Sequence, residues 1–260
     1  MSARLIGVGV GPGDPELVTL KAVRALRAAE VVAHFAKAGS EGRGRTIVAA
    51  HIRYDAIELP LFFPVTTEIA KDDPAYGLRL AAFYDDATAA VAAHLEGGRS
   101  VVVICEGDPL FYGSYMHLHV RLSSRYPTEV IAGVTGMSGC WSALGTPIAQ
   151  GNDVFTVLPA TLAEDELARR LADADAAAVI KLGRHLAKAR RALERAGRLD
   201  GAMYVERGTM ADAVVMRLAD KADDGAPYFA MVLVTGFARR PDPLPAAGGE
   251  KASQWPDTSR

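Results

Sequence analysis

Two carboxylates and two aromatic side chains stand close together in the segment CEGDPLFYG (105–113). Glu106 and Asp108 are followed by Phe111 and Tyr112, and the run SVVVIC before them is almost wholly apolar. Carboxylates beside aromatic faces suit a ligand that is cationic or rich in hydroxyl and amine groups, and a sulfonium ion is such a ligand. The alternative is that Asp108 and the proline after it only form a turn.

A glycine-rich stretch lies near the start of the chain, in LIGVGVGPGDPELVTL. The alternating glycines are Gly7, Gly9, Gly11 and Gly13. The dinucleotide fingerprint Gly-x-Gly-x-x-Gly fails because Pro12 or Asp14 occupies its third position, and no Gly-Lys-Ser/Thr of a P-loop follows. Asp14, Pro15 and Glu16 predict a helix start whose acidic groups disfavour phosphate. Two interpretations remain: a tight turn, or a bare backbone that a ligand without phosphate approaches closely.

A third segment, IAGVTGMSGCWSALG (131–145), combines small residues with hydroxyl groups. The residues of this segment that could contact a ligand are Gly133, Thr135, Gly136 and Ser138. Their hydroxyl and amide groups could hold a carboxylate or a ribose. A tightly packed strand-to-helix turn explains the same residues equally well.

The elements that must position these segments alternate between short apolar runs and helical patterns. Strands are predicted at residues 4–10, 31–35, 56–60, 100–108 and 128–133. Helices are predicted from the threefold spacing of Leu17, Leu20, Val23 and Leu26, and at residues 78–98, where two glycines end the pattern. Strands separated by helices predict a parallel sheet, in which ligands bind at the carboxyl ends of the strands. The apolar fourth run predicts the central strand.

The second half predicts another α/β unit. Its strand-like segments are DVFTVLPA, AAAVIKLG, GAMYVERG and YFAMVLVTG, and its helices are expected at 163–173 and in RHLAKARRALERAG. We therefore predict an N-terminal domain at residues 1–145 and a C-terminal domain at 146–240. Residues 241–260 are rich in proline, glycine and charge, which predicts a disordered tail.

Composition argues against several classes of partner. The 260 residues contain 29 Lys and Arg against 31 Asp and Glu, so the net charge of -2 gives no general attraction to nucleic acid or to an anionic membrane. Cys105 and Cys140 are too few for a disulfide framework, which fits a reducing, cytoplasmic location. His117 and His119 should point to different faces of a helix, so we expect no metal site.

The apolar stretches do not predict targeting or membrane insertion. The N-terminal run is short and broken by glycine, which is typical of a first strand rather than a signal peptide. The uncharged stretch at residues 130–152 is long enough to span a bilayer but is rich in glycine and hydroxyl groups. We therefore expect no membrane association.

The three segments together resemble those of the tetrapyrrole methylase family, which uses S-adenosylmethionine. VGVGPGDPELVTLKA is similar to the family's opening glycine loop, GDPLFYG to its Gly-Asp-Pro-x-x-Tyr segment and IAGVTGMSG to its third segment, although Ala132 and Gly136 stand where the family commonly has proline and serine. VLPAT, VIKLGRHLAKARRAL, YVERGTM and PYFAMVLV extend the resemblance to about Gly236. The resemblance implies two α/β domains, the first with a parallel and the second with a mixed sheet, and an active site in the cleft between them.

The resemblance also implies site residues. The positions that match cofactor contacts are Pro12, Glu106, Gly107, Asp108, Phe111, Thr135, Gly136, Leu182, Val205, Glu206 and Met231, with the assignments after Leu182 less sharply placed within their segments. Gly11 and Gly13 are implied to adjoin the substrate. Glu106, Asp108 and Tyr112 are our candidate catalytic groups, as proton acceptors, and Glu206 is a further one.

The implied substrate is a small tetrapyrrole with several carboxylates, so its cleft needs local positive charge. Basic residues recur at helical spacing after the seventh predicted strand, at Arg184, Lys188, Arg191, Arg195 and Arg198. We favour Arg184 and His185 as substrate contacts because they lie at a strand-to-helix turn, with Lys181 as a weaker candidate. For the distal members, an ordinary solvated helix face is the favoured interpretation.

Several alternatives stay open at this point. The substrate could be metal-free or contain cobalt, a relative of the same fold could methylate a macromolecule, and a nucleotide-binding regulatory module without chemistry is a third hypothesis. A homodimer is implied only by the resemblance. Binding of S-adenosylhomocysteine, but not of NAD or ATP, would favour the methyltransferase.

Overall fold

The first unit is built on a five-stranded parallel sheet. A computed structural model describes residues 3–64 and 74–239, and the predicted tail at 241–260 lies outside these described residues. The strands are β1 (Leu5–Gly9), β2 (Val31–Lys37), β3 (Ile57–Phe63), β4 (Val101–Cys105) and β5 (Thr128–Ile131). Their order across the sheet is β3-β2-β4-β1-β5, and all neighbouring pairs are parallel. Every residue of β4 is buried, which confirms it as a central strand.

Helices cover both faces of this sheet. They are α1 (Leu20–Ala28), α2 (Arg43–Ile47), α3 (Pro74–Glu96) and α4 (Tyr115–Leu122), whereas a fifth helix, α5 (Gly136–Leu144), packs on the second unit. Val101 and Val103 of β4 pack with α3 and α4 in one core cluster, whereas Val102 and Ile104 pack with α1 and α2 in another. Because successive side chains of a strand point to opposite faces, one continuous apolar run supplies both cores.

The second unit contains a mixed sheet, as the resemblance implied. Its strands are β6 (Phe155–Pro159), β7 (Ala176–Ile180), β8 (Ala202–Glu206), β9 (Val214–Arg217) and β10 (Ala230–Val234). The order is β6-β7-β10-β8-β9, and only the β6 and β7 pair is parallel. The helices α6 (Glu164–Asp173) and α7 (Leu186–Arg195) pack on one face of this sheet.

Helix α5 connects the two units. It follows β5 in the chain, yet Met137 and Cys140 pack with Val205, Met231 and Leu233 of the second sheet. The loops at the carboxyl ends of the first sheet are therefore held directly against the second unit. The boundary predicted after residue 145 falls at the end of this helix.

The structure differs from the sequence predictions at two elements. Asp14 does cap a helical turn by accepting the Glu16 N–H at 2.9 Å, but that turn is a short 3-10 helix, Pro15–Leu17, and α1 begins afterwards with Thr19 as its cap. The break rotates the following residues, so Leu20 is 77% exposed and the predicted leucine stripe is wrong at that position. Strand β9 was not predicted because it is a short edge strand with alternating exposure.

Across the described parts of the chain, no helix has both the length and the apolar character required to cross a membrane.

Candidate functional site

Three loops meet at the carboxyl ends of β1, β4 and β5. We call them the first loop (10–14), the second loop (106–114) and the third loop (132–135). Backbone bonds join the first two: the Val10 N–H donates to the Cys105 carbonyl at 3.0 Å, and the Gly107 N–H donates to the Gly11 carbonyl at 2.8 Å. The first two segments singled out in the sequence are thus held side by side.

Glycine is required where these loops touch. A Cβ on Gly9 would lie 2.6 Å from both the Gly107 carbonyl oxygen and the Gly133 Cα, and a Cβ on Gly133 would overlap the same carbonyl oxygen. Real Cβ atoms do not approach backbone so closely, and repacking cannot relieve the clash because both partners are main chain. At these positions the bare backbone allows the loops to pack on one another.

The Asp108 carboxylate holds the second and third loops together. Its Oδ1 accepts the Leu110 N–H at 2.9 Å and its Oδ2 accepts the Gly133 N–H at 3.1 Å. Both oxygens are thus engaged by backbone donors, and bonds of this kind to a charged acceptor are among the stronger ones in proteins. Asp108 is built to position the loops and is poorly placed to collect a proton.

Glu106 has a different environment. Its Oε1 accepts the Gly44 N–H at 3.0 Å, whereas no hydrogen bond to Oε2 occurs within the described residues. Burial raises the pKa of this carboxyl, and the Gly44 N–H and the positive charge of Arg43 only partly oppose the rise. A carboxyl with a raised pKa and one uncommitted oxygen can exchange a proton nearer to neutral pH than an ordinary glutamate.

The aromatic pair of the second loop faces the opposite unit. The rings of Phe111 and Tyr112 meet edge to face at 4.9 Å, and the side chains are 38% and 48% exposed. The Lys181 Nζ, at the end of β7, lies 4.5 Å from the centroid of the Tyr112 ring. Tyr112 and Lys181 both have positive φ angles, 56° and 59°, which non-glycine residues seldom adopt outside constrained sites.

The first loop contacts the second unit directly. The Asp14 N–H donates to the Thr209 Oγ1 at 3.3 Å, and the glycine before it faces Met210. Of the two predicted substrate contacts, Gly13 therefore lies at the interface between the units, whereas Gly11 is buried against Leu17 and Gly107 of the first unit. Pro12 lies beside helix α5.

The remaining predicted cofactor positions lie in the third loop, at the start of α5 and in the second unit, and two of their side chains are core residues. Leu182 and Val205 are 1% and 0% exposed and pack in the two cores on opposite faces of the second sheet, so each offers a ligand mainly its backbone. Met231 lies under Gly136, and the Thr135 hydroxyl caps α5 by accepting the Ser138 N–H at 3.2 Å.

The carboxylate of Glu206, like that of Asp108, has both oxygens engaged. The Tyr204 hydroxyl donates to its Oε2 at 2.6 Å, and the Arg207 guanidinium pairs with its Oε1. This arrangement makes Glu206 a structural anchor at the end of β8 and a weaker candidate for proton transfer than Glu106.

The basic stripe divides into an exposed end and a structural part. Arg184 is exposed and has no ion pair in the described chain, while His185 immediately precedes α7. Arg191 and Arg195 pair with carboxylates at the start of α6, and the Lys188 Nζ donates to the Leu162 carbonyl.

Arg198 does not belong to any exposed face. It is 5% exposed and donates to the carbonyls of Leu171, Ala174 and Asp175. The predicted basic stripe is therefore wrong at this residue, because the helix ends at Arg195 and the chain turns inward.

Two features of the cleft were missed by sequence reasoning. The Arg43 guanidinium stacks 4.6 Å from the centroid of the Phe229 ring in the opposite unit. Tyr228 is 80% exposed, and its ring centroid lies 5.1 Å from that of Phe229. In the sequence, the aromatic pair just before the apolar run of β10 was the available signal for Tyr228, whereas the segment GRGR gave no signal for Arg43.

In the segments that the structure describes, no group of three or more His, Cys, Asp or Glu side chains is arranged to hold a metal ion. The two cysteines are buried, and burial raises the pKa of each thiol to about 11. Neither thiol is therefore in the thiolate form that a nucleophile requires.

Comparisons with known proteins agree with this architecture. A family model described as Tetrapyrrole (Corrin/Porphyrin) Methylases matches residues 4–221. The precorrin-2 C(20)-methyltransferase of Sinorhizobium sp is 62% identical over 238 residues, which are 92% of this chain and 97% of that relative. The cobalt-precorrin-2 C(20)-methyltransferase of Salmonella typhimurium is 24% identical over 237 residues, 90% of this chain and 97% of its own length.

A solved structure shows the same fold at lower identity. The uroporphyrin-III C-methyl transferase from Thermus thermophilus, complexed with S-adenosyl homocysteine, aligns with a TM-score of 0.63 at 23% identity and covers 91% of this chain and 94% of its own. The two-unit arrangement is thus shared by a protein that holds the demethylated cofactor.

Proposed function

Since the chain belongs to the tetrapyrrole (corrin/porphyrin) methylases, we propose that it methylates carbon 20 of precorrin-2, giving precorrin-3A in cobalamin biosynthesis. It is an S-adenosylmethionine-dependent C-methyltransferase whose product from the cofactor is S-adenosylhomocysteine. The observation that carries the assignment of substrate is 62% identity across nearly the whole length of a precorrin-2 C(20)-methyltransferase. A cobalt-specific relative is much less similar, at 24% identity, which favours the metal-free substrate.

We place the cofactor in the cleft between the two units. In this proposal the three loops and the first residue of α5 form one wall of the cleft, through Pro12, Glu106, Gly107, Asp108, Phe111, Thr135 and Gly136. The other wall is formed by Leu182, Val205, Glu206 and Met231. The exposed aromatic rings at 111 and 112 support the placement, because an aromatic face can hold the sulfonium charge.

The reaction is an in-line displacement. The electron-rich carbon 20 attacks the methyl group, a carbon–carbon bond forms, the methyl–sulfur bond breaks, and its electron pair neutralises the sulfonium. Because the sulfonium is already a good leaving group, alignment is the main contribution of the protein, and alignment can be equivalent to about 7 to 11 kcal/mol of the barrier. Closure of the cleft around the ligands would also exclude water.

A proton must then leave carbon 20. Of the four candidate acceptors, we favour Glu106. Its Oε2 accepts no hydrogen bond in the described chain and its pKa is raised. The Asp108 and Glu206 carboxylates have both oxygens engaged, and the Tyr112 ring lies under a lysine.

The proposal is tested by incubating the protein with S-adenosylmethionine carrying a carbon-13 methyl group and with precorrin-2 or its cobalt-containing counterpart. We expect one added methyl group, located by NMR at carbon 20, and a higher kcat/KM for the metal-free ring. A methyl at another carbon would reassign the protein to a relative such as a precorrin-4 or uroporphyrinogen-III methyltransferase. Preference for the cobalt ring would assign it to the cobalt-dependent branch.

The family resemblance also supports two further proposals. The active form is a homodimer, and it works in the cytoplasm. Light scattering on the purified protein tests the first, with twice the mass of the 27.5 kDa chain as the expected result. Fractionation of the source cells tests the second.

A further inference from the structure

Two cationic side chains, one from each unit, contact an aromatic ring of the opposite unit. Arg43 belongs to the first unit and stacks on Phe229 of the second, with its Cζ 4.6 Å from the ring centroid. Lys181 belongs to the second unit and lies over Tyr112 of the first, with its Nζ 4.5 Å from the ring centroid. Both cations lie beside the second loop. The charge of Arg43 acts on the carboxyl of Glu106 at the start of the loop, and Lys181 contacts Tyr112 near the end of the loop.

Arg43 carries its charge without a carboxylate partner. It is exposed, and no ion pair to it occurs within residues 3–64 and 74–239. Arg45, two positions along the same short helix, instead pairs with Glu58 at 2.8 Å and with Glu41 at 3.4 Å. No hydrogen bond from the Arg43 guanidinium occurs within the described residues, so its N–H groups are available to bind a carboxylate with two parallel bonds.

The aromatic residues that the two cations contact, Phe229 and Tyr112, are held in place by their surroundings. The Phe229 carbonyl accepts the Arg207 N–H at 2.8 Å, and Arg207 is itself paired with Glu206. Tyr112 and Lys181 occupy the left-handed region of backbone conformation, which their surroundings must enforce. Pre-ordered groups lose less entropy when they bind a ligand.

We propose that Arg43 and Lys181 form a two-point clamp for carboxylates at the periphery of the tetrapyrrole, with one cation supplied by each unit. The clamp rests on the proposed function, because it assigns the substrate's acidic side chains to the mouth of the same cleft. It also couples substrate binding to closure, since a ligand held at both points ties the two units together.

The test compares Arg43→Met and Lys181→Met with Arg27→Met. Methionine keeps a long apolar stem and removes the charge, and Arg27 is an exposed arginine at the end of α1, away from the loops. For each variant we would measure the Kd for S-adenosylhomocysteine by calorimetry, the KM and kcat with precorrin-2, and the Kd for uroporphyrin, a stable porphyrin with eight carboxylates, by fluorescence quenching.

We expect each cleft variant to raise the KM for precorrin-2 and the Kd for uroporphyrin by roughly tenfold or more, as loss of a charge-assisted bond implies. The Kd for S-adenosylhomocysteine should stay within about twofold of the wild type, and Arg27→Met should match the wild type throughout. Arg43→Lys should recover part of the loss, because it restores charge without the bidentate geometry.

The outcomes separate the clamp from the proposed function. Unchanged KM and uroporphyrin affinity in both cleft variants would overturn the clamp while methylation by the wild type stands. Loss of S-adenosylhomocysteine binding would also overturn it, by assigning the residues to the cofactor. A wild type that methylates no tetrapyrrole but binds uroporphyrin through Arg43 and Lys181 would keep the clamp and refute the proposed reaction.

Discussion

The Asp108→Asn substitution tests how the loops are organised. An asparagine keeps the size of the side chain and one acceptor oxygen, but it presents an NH₂ group to one of the two N–H donors, from Leu110 or Gly133. One charge-assisted bond, of about 1.5 to 3 kcal/mol, is then replaced by two opposed donors. If the second and third loops must be joined to bind the cofactor, this energy corresponds to a roughly 10- to 150-fold weaker Kd for S-adenosylhomocysteine.

Calorimetric titration measures this effect, and Asp175→Asn is the matched control. The Asp175 carboxylate also accepts a backbone N–H, from Val154 at 2.9 Å, but it lies where β6 and β7 begin, at the edge of the second sheet opposite the cleft. The control should bind S-adenosylhomocysteine as the wild type does. Asp108→Ala should lose binding altogether while its circular dichroism spectrum stays native, because Asp108 lies outside the core clusters.

The result that would refute this reasoning is an Asp108→Asn protein with wild-type affinity for S-adenosylhomocysteine. The cofactor would then not depend on the junction between the second and third loops, and its placement in this cleft would be wrong. Equal weakening by Asp108→Asn and Asp175→Asn would instead point to a general loss of stability.

Three further predictions concern packing, protonation and charge. Gly133→Ala should weaken S-adenosylhomocysteine binding at least tenfold by forcing its new Cβ into the Gly107 carbonyl, whereas Gly77→Ala, which meets nothing within 4 Å, should leave it unchanged. Folding raises the pKa of the Glu106 carboxyl above its ordinary value of 4.5. The contribution of this carboxyl to the free energy of unfolding is therefore fully present below about pH 4.5, where it is protonated, and is lost as the pH rises through the pKa of the folded state. Glu106→Gln should accordingly resist urea better than the wild type at about pH 8 but not at about pH 4, and equal stability at both would contradict the buried carboxyl. Arg198→Met should lower the free energy of unfolding by about 2 to 5 kcal/mol, measured in urea, because three backbone carbonyls lose their donor. The KM of this variant for precorrin-2 should not change, and a raised KM would indicate that Arg198 contacts the substrate.

Local sequence patterns predicted most of the architecture. The apolar runs correspond to β1 through β8 and β10, because burial on a sheet leaves a continuous or alternating apolar signature within a few residues. The same patterns placed the three loops at the carboxyl ends of their strands, which a parallel sheet brings to one edge. Strand β9 escaped because an exposed edge needs no such signature.

The site itself was predicted as a set of segments, and its internal roles were not. The sequence ranked Asp108 beside Glu106 as a proton acceptor, since both are carboxylates at the end of a buried strand. Only the fold shows that backbone N–H groups occupy both oxygens of one and a single oxygen of the other. Helical spacing likewise grouped Arg198 with Arg184, because periodicity cannot show that α7 has ended before residue 198.

By itself, the sequence determined the two α/β units, the glycine-rich loops, the family and hence the cofactor, because all of these depend on residues that are neighbours in the chain. Only the tertiary structure decided that Arg43 stacks on Phe229 and Lys181 on Tyr112. Each of these contacts joins residues from different units, and their meeting depends on how helix α5 docks the second sheet against the loops of the first. Local propensity carries no information about that docking, which is set by the fit of two buried surfaces.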